Sequence, residues 1–304
     1  MIIKMLGSSG TRPLINRPLT SAFVHSDDKN ILIDCGEGTQ LQLQALKCRI
    51  SKIDIICITH LHPDHVLGLP CLLSTMSTFK KSSDLLIIGP AGIKDCVLSL
   101  LAPVSCLGFK LQFFELDGNS TKLEFDRFSI TAFKVKHSIV CYGYKLVEYM
   151  PPKFDAEFIE SSNLPDAFWC VMHKGGSVST NEGIVNRNYY FGEDRLFRSF
   201  VYAVDTRPCK RLMQFCRDAD VLVLEAMYSG NNTEFAREKN HMLLSESLDI
   251  FKRSKAKNLV ITHFSPSTRV EHFQSEIDKC GVTGVVCASV GVCIELEKEV
   301  KVSQ

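Results

Sequence analysis

Three histidines and an aspartate fall within six residues in His60-Leu61-His62-Pro63-Asp64-His65, directly after an apolar run of β type. Alternate residues of an extended segment point the same way, so His60 and His62 can offer imidazoles to one cation. Pro63 forces a turn, after which Asp64 and His65 can face a second cation. Imidazole and carboxylate donors without thiolate suit zinc, manganese or iron at a catalytic site rather than a closed structural zinc. Two metals need more ligands, and polar residues at the ends of other β runs are the candidates. His137 ends the run 130–136, Asp205 ends 200–204 and His263 ends 259–262. With His60, His62, Asp64 and His65 they make a set of seven candidate ligands for a bimetallic site.

Such a set requires strands that end beside one another. Periodicity predicts strands at 2–6, 22–25, 31–34 and 53–59, with an amphipathic helix over 39–47. A strand at 85–88 and a helix at 93–101 follow, then antiparallel-type strands around 111–116 and 123–135. The second half repeats the mixture, with strands at 200–204, 221–225 and 259–262, a helix at 209–217 and helices across 234–253. Mixed strands and helices with short links predict one layered α/β or α+β domain over 1–304. The stretch 150–198 carries Pro151, Pro152, Pro165, Gly175, Gly176 and Gly183 without a sustained period, and reads as an insertion or protruding arm.

Composition narrows the function classes. The chain is 45% hydrophobic and 23% charged, enough to bury a large core and to exclude disorder as its main state. Lys and Arg number 35 against 34 for Asp and Glu, so no global positive field marks a nucleic-acid or anionic-membrane binder. A polyanion must be gripped locally. The opening apolar stretch 1–6 is interrupted by Lys4 and is too short for the core of a signal peptide. No run approaches the ~20 apolar residues that span a bilayer, so no membrane partner is expected. The 13 cysteines are odd in number and contain no C-x-x-C, which points to reduced, mostly buried thiols in a cytoplasm.

The cluster 60–65, with His137, Asp205 and His263 in that order, resembles the metallo-β-lactamase fold of hydrolases over essentially the whole chain. Within that superfamily the chain is similar to the ribonuclease Z family, endonucleases that trim the 3′ trailer from precursor tRNA. Met5-Leu6-Gly7-Ser8-Ser9-Gly10-Thr11-Arg12-Pro13 resembles the family's first strand and loop. Asp34-Cys35-Gly36-Glu37-Gly38-Thr39-Gln40 matches its D-x-G-E-G-T-Q motif. Gly143-Tyr144, Asp205-Thr206-Arg207-Pro208, Glu225-Ala226, His241 and Thr262-His263-Phe264-Ser265 follow in the family's order. The resemblance implies a four-layer αβ/βα sandwich of α+β class, with the metals at one edge between two sheets. The 67 residues between His137 and Asp205 leave room for the family's tRNA-holding arm. Between Lys145 and Arg198 there are six Lys or Arg against eight Asp or Glu, so phosphate contacts there rely on few basic residues or on shape.

Departures from the family pattern are local. Pro63 replaces the glycine of H-x-H-G-D-H, Val204 replaces the glycine before the aspartate, and Leu224 stands where the family has histidine. The family's P-x-K-x-R-N loop is here Pro13-Leu14-Ile15-Asn16-Arg17-Pro18, without the lysine and asparagine.

The resemblance further implies two zinc ions per chain, or manganese or iron in their place. His60, His62 and His137 would hold one, Asp64, His65 and His263 the other, with Asp205 bridging. It assigns Asp64 as general base and His241 as the group that protonates the leaving oxygen. Asp34 and Glu225 are expected to support the ligands and His241, and Pro13, Arg17 and Thr206 are candidate substrate contacts. Precursor tRNA or another RNA is the implied partner, with a homodimer in which one subunit's arm serves the other's site. Two alternatives stay open: the same metals acting on a small diester such as a cyclic nucleotide, or a non-catalytic metal-binding scaffold.

Overall fold

The computed structural model describes residues 1–304 apart from 27–28, 105, 151–167, 170, 172–176, 181–182, 187–194, 231–232, 297–299 and 304. The first sheet is built from β1 (Ile2–Gly7), β2 (Ser21–Ser26), β3 (Lys29–Ile33), β4 (Ile55–Cys57), β5 (Leu85–Pro90) and β6 (Leu111–Leu116). On its other side β1 pairs with the late strand β16 (Cys293–Leu296), which pairs with β17 (Val300–Ser303). Strands β1, β2 and β3 run antiparallel, whereas β3 to β6 run parallel. The second sheet has the order β15-β14-β13-β12-β9-β8-β7. Its strands are β7 (Ser120–Glu124), β8 (Phe128–Lys134), β9 (Tyr142–Met150), β12 (Arg195–Ala203), β13 (Val221–Glu225), β14 (Asn258–Thr262) and β15 (Val285–Cys287). Here β12 to β15 are parallel.

Period-2 patterning assigns each face. In β3, Ile31 and Ile33 join a core shared with Tyr144, Phe200, Tyr202 and Val223 of the second sheet. Leu32 points the other way, into a cluster with Leu43 of α1 (Thr39–Ala45), Leu72 of α3 (Leu69–Thr78) and Val97 of α4 (Ile93–Leu100). The short α2 (Pro63–Val66) lies between α1 and α3 in the chain. Across the molecule Val201, Leu222 and Ile261 pack with Leu212 of α5 (Lys210–Cys216) and Leu248 of α7 (Leu244–Ser254), with α6 (Thr233–Glu238) preceding it. Phe273 of α8 (Val270–Lys279) joins the same cluster. Three apolar layers therefore separate four layers of structure, helix–sheet–sheet–helix, the α+β sandwich expected above.

Two expectations are corrected. The run 123–135 is a hairpin and not one strand: Phe125 N–H donates to Phe128 O at 2.9 Å around Asp126-Arg127, and the two phenyl rings stack at 4.4 Å. The strand at 111–116 does not run antiparallel to that hairpin; β6 lies parallel to β5 at the edge of the first sheet, and β7 begins the second. The helices expected across 234–253 are present as two, α6 and α7, parted where Asn240 takes a left-handed φ of 59° and His241 falls in the link.

By its internal contacts the chain divides into two units, Met1–Val147 with Arg198–Gln304, and Glu148–Phe197. The expected arm at about 150–198 lies largely outside the described residues. Within it β10 (Ser177–Thr180) and β11 (Gly183–Asn186) form an antiparallel hairpin. The described cysteines are all free; Cys35, Cys48, Cys57, Cys141, Cys216 and Cys287 are buried, whereas Cys71, Cys106 and Cys280 are exposed. No helix among the described residues is long and apolar enough to cross a membrane.

Candidate metal centre

The candidate ligands, and the supporting Asp34, lie where strands of both sheets end. Asp34 follows β3, His60 follows β4, Asp205 follows β12 and His263 follows β14. Three of these turn away from their strands in left-handed conformations, with φ of 61° at Asp34, 53° at Asp205 and 55° at His263. That backbone is costly for a non-glycine residue and is characteristic of functional sites. Pro63 occupies the first turn of α2, where its fixed φ suits the helix and its missing N–H is not needed, so Asp64 and His65 are turned inward.

The glycine-rich turn after β3 packs directly on the histidine segment. Cys35 N–H donates to His65 O at 2.8 Å, and Gly68 N–H donates to Cys35 O at 2.9 Å. A Cβ on Gly36 would stand 2.1 Å from Asp64 O, and one on Gly68 would stand 2.0 Å from Gly36 O. Only glycine allows that approach. Thr39 Oγ1 donates to Gly36 O at 2.8 Å and closes the turn.

Seven side chains converge in two adjacent groups. His60, His62, His137 and Asp205 form one, and Asp64, His65 and His263 the other, with ligand atoms in each within 4.8 Å of one another. Asp205 faces both: Oδ1 is 3.8 Å from Nε2 of His60 and of His137, and Oδ2 is 3.3 Å from His65 Nε2 and 3.1 Å from His263 Nε2. Asp64 Oδ2 lies 3.4 Å from His65 Nε2 and 3.7 Å from His263 Nε2, and it accepts a 2.8 Å bond from Thr11 N–H. Asp205, His241 and His263 make a third possible grouping.

The donor chemistry fits a metal ion. His65 Nε2, Asp205 Oδ2 and both ring nitrogens of His263 are buried without a hydrogen-bond partner among the described residues. Buried polar atoms left unpaired are rare and mark a missing partner. Burial pushes His60, His62 and His137 below the ordinary histidine value, which favours the neutral imidazoles that bind metal. Burial acts to lower His65 too, but the Asp34 and Asp205 carboxylates outweigh it and raise it well above that value. Burial acts to raise Asp205 and Asp64, and neighbouring imidazoles hold both carboxyls far below the usual range. Clustered carboxylates that call for positive charge, beside neutral imidazoles, form a site for a metal cofactor.

Around these side chains stands a set of supports. Asp34 Oδ2 lies 2.9 Å from His65 Nδ1, and Asp34 Oδ1 accepts from Thr59 N–H at 2.8 Å and Thr59 Oγ1 at 2.9 Å. Tyr202 Oη donates to Asp34 Oδ2 at 3.3 Å and Tyr144 Oη to Ile58 O at 2.7 Å, so hydroxyls of the second sheet brace the ligand-bearing ends of the first. On the far side Glu225, fully buried, accepts from Thr206 N–H at 2.5 Å and faces His241 Nδ1 at 2.9 Å. Burial acts to lower His241, and the Glu225 charge outweighs it, raising the imidazole to about 9.

The candidate substrate contacts are placed differently. Arg17 donates to Thr268 O at 2.7 Å and Ser265 O at 2.9 Å, so its guanidinium braces the loop after His263. Pro13 is exposed, and Ile15 is 101% exposed at the tip of a turn closed by paired Leu14 and Arg17 hydrogen bonds. Thr206 is fully buried, with Oγ1 accepting from Lys136 N–H at 3.2 Å and donating to Arg207 O at 2.9 Å. Thr59, Tyr202, Thr11 and Glu246 were not singled out by the sequence. Thr59, polar and directly before His60, and Thr11, inside the Met5–Pro13 motif, carried a local signal.

Known proteins share this fold. Human tRNase Z, short form, superposes with a TM-score of 0.72 at 24% identity, over 98% of this chain and all (100%) of that one. The metallo-β-lactamase fold protein YhfI of Bacillus subtilis gives 0.69 at 20% identity, over 97% and 99%. A family model described as anti-Pycsar protein Apyc1 matches residues 1–144. Fold and donor set together define a metal-dependent hydrolase of the metallo-β-lactamase fold. Ribonuclease Z of Clostridioides difficile (strain 630) is 35% identical over 270 residues, 87% of this chain and 88% of its own. That of Agathobacter rectalis is 34% identical, over 90% and 91%. The chain belongs to the ribonuclease Z family.

Proposed function

We propose that the chain is a zinc-dependent endoribonuclease that hydrolyses a phosphodiester at the 3′ end of precursor tRNA and leaves a 3′ hydroxyl on the tRNA. The observation that carries this reading is the convergence on Asp205 of His60, His65, His137 and His263 from two sheets, in a member of the ribonuclease Z family. Two zinc ions are the proposed cofactors. His60, His62 and His137 would hold one and Asp64, His65 and His263 the other, with the Asp205 carboxylate facing both groups. Bound there, divalent cations neutralise charge on the phosphate and lower the pKa of an attacking water.

The chain's own groups move the protons. Asp64 takes the proton of the water as its oxygen bonds to phosphorus. The bond from phosphorus to the ribose O3′ breaks, and His241 gives that oxygen a proton from Nε2 while Nδ1 stays with Glu225. The trailer keeps the phosphate. Asp34 fixes the His65 ring, as hydrogen-bonded carboxylates do for ligating histidines. Arg17 and Thr206 act here as scaffold for the rim, and exposed Pro13 stays a candidate substrate contact. The remaining parts of the proposal, supported by family membership, are a cytoplasmic homodimer and an arm at about 150–198 that serves the partner's site.

Zinc-loaded protein incubated with a 3′-extended precursor tRNA, and in parallel with a cyclic nucleotide, tests the reading with Asp64→Ala as blank. Cleavage of the RNA at the tRNA 3′ end by the wild type alone is expected. Hydrolysis of the cyclic nucleotide with RNA untouched would move the substrate to small diesters. Bound metal without turnover of either would leave a scaffold.

A further inference from the structure

We infer that Arg207 and Glu246 form a clamp that positions His241 for proton donation, separately from the metal ligands; the inference rests on the proposed role of His241. Arg207 Nη1 donates to the backbone oxygen of His241 at 2.5 Å and to Glu246 Oε2 at 2.7 Å, and Nη2 pairs with Glu246 Oε1. Glu246 Oε2 also accepts from Leu243 N–H at 2.9 Å. One guanidinium and one carboxylate thus hold both ends of His241-Met242-Leu243, the last part of the link between α6 and α7.

The anchor is rigid on its own side. Arg207 N–H donates to Lys136 O at 2.8 Å, and the Arg207 side chain is 9% exposed. A bidentate Arg–carboxylate pair with little solvent access keeps its geometry better than an exposed pair does. Among the described residues, no hydrogen bond joins either side chain to a candidate metal ligand. The next residue back, Asn240, accepts instead from His137 Nδ1 at 3.2 Å. Adjacent carbonyls are therefore read by different partners, Asn240 O by a candidate ligand and His241 O by the clamp.

A clamp of this kind affects only reactions that need the proton. Expulsion of a ribose O3′ requires one, whereas p-nitrophenolate leaves without it. The experiment compares Arg207→Gln, Arg207→Lys and Glu246→Gln on 3′-extended precursor tRNA and on bis(p-nitrophenyl) phosphate, with bound zinc measured in each. Slippage of a general acid worth about 10²–10⁴-fold should lower kcat on RNA by about 10–100-fold. KM for RNA, zinc content and p-nitrophenyl diester turnover should stay at wild-type values, and Arg207→Lys should recover only part of the loss. Glu246→Gln, which keeps shape, serves where Arg207→Gln does not fold. Equal losses on both substrates, loss of zinc, or no loss on RNA would each overturn the clamp. His241→Ala run alongside separates the two ideas. If it slows both substrates alike, the proton-donor reading falls and the clamp with it; if it is selective while the clamp variants are silent, the clamp alone falls.

Discussion

On the first sheet the candidate ligands come from a single stretch, His60 to His65, placed by backbone contacts with the turn 34–38. On the second, His137, Asp205 and His263 are separated by 67 and 57 residues and meet only because β8, β12 and β14, strands of one sheet, carry them just past their C-terminal ends. The first half is prepared locally and the second by sheet assembly. The two halves share one group, Asp205, whose carboxylate oxygens face them separately. A change in the first half should therefore act near its own position, whereas a change at Asp205 should disable both.

The largest effect is expected from Asp205→Ala. Metal content by mass spectrometry should fall well below that of the wild type, and RNA cleavage should drop to background, because the shared carboxylate is gone while neighbouring imidazoles remain. Retention of full metal would break the comparison at its centre. Next comes Asp34→Asn, which weakens the hold on His65 and Thr59. Zinc affinity by competition titration should fall by about 10–100-fold, the usual consequence of losing such a support. An unchanged affinity would make Asp34 a turn residue only.

Smaller effects test the local preparation of the first half. Gly36→Ala places a methyl against the Asp64 carbonyl, and chemical denaturation should show a loss of about 1–3 kcal/mol, typical of overpacking. Pro63→Gly should cost only about 0.4–1 kcal/mol, by freeing the unfolded chain, and should leave zinc content as it is. A large loss of zinc in Pro63→Gly would show that proline does more than pre-set the first turn of α2.

The same contrast explains what was legible in the sequence. The spacing of His60 to His65 announces itself because its members are neighbours in the chain, and the D-C-G-E-G-T turn does so through its likeness to a family motif. His137, Asp205 and His263 could be named as strand-end residues, but their meeting depends on parallel pairing that periodicity does not encode. The hairpin at Asp126-Arg127 was hidden because Phe125 and Phe128 are apolar on both sides of the turn. Helices α3 and α8 and the strands β15 to β17 were not anticipated; β15 to β17 are short, and α8 carries only two buried residues, Phe273 and Ile277. Tyr202 and Glu246 escaped notice for a different reason. A tyrosine inside an apolar strand and a glutamate in a helix's first turn have ordinary local roles, and only the tertiary fold points the one at Asp34 and the other at Arg207.

The central claim is that two half-sites, one from each sheet, jointly hold the metals that cleave RNA. Zinc titration of the chelated wild type, with bound metal per chain and precursor-tRNA cleavage read on the same samples, tests it most directly. The account predicts two zinc ions per chain, with cleavage rising only as the second is bound. Full cleavage at one zinc per chain, or cleavage that survives complete chelation, would contradict it.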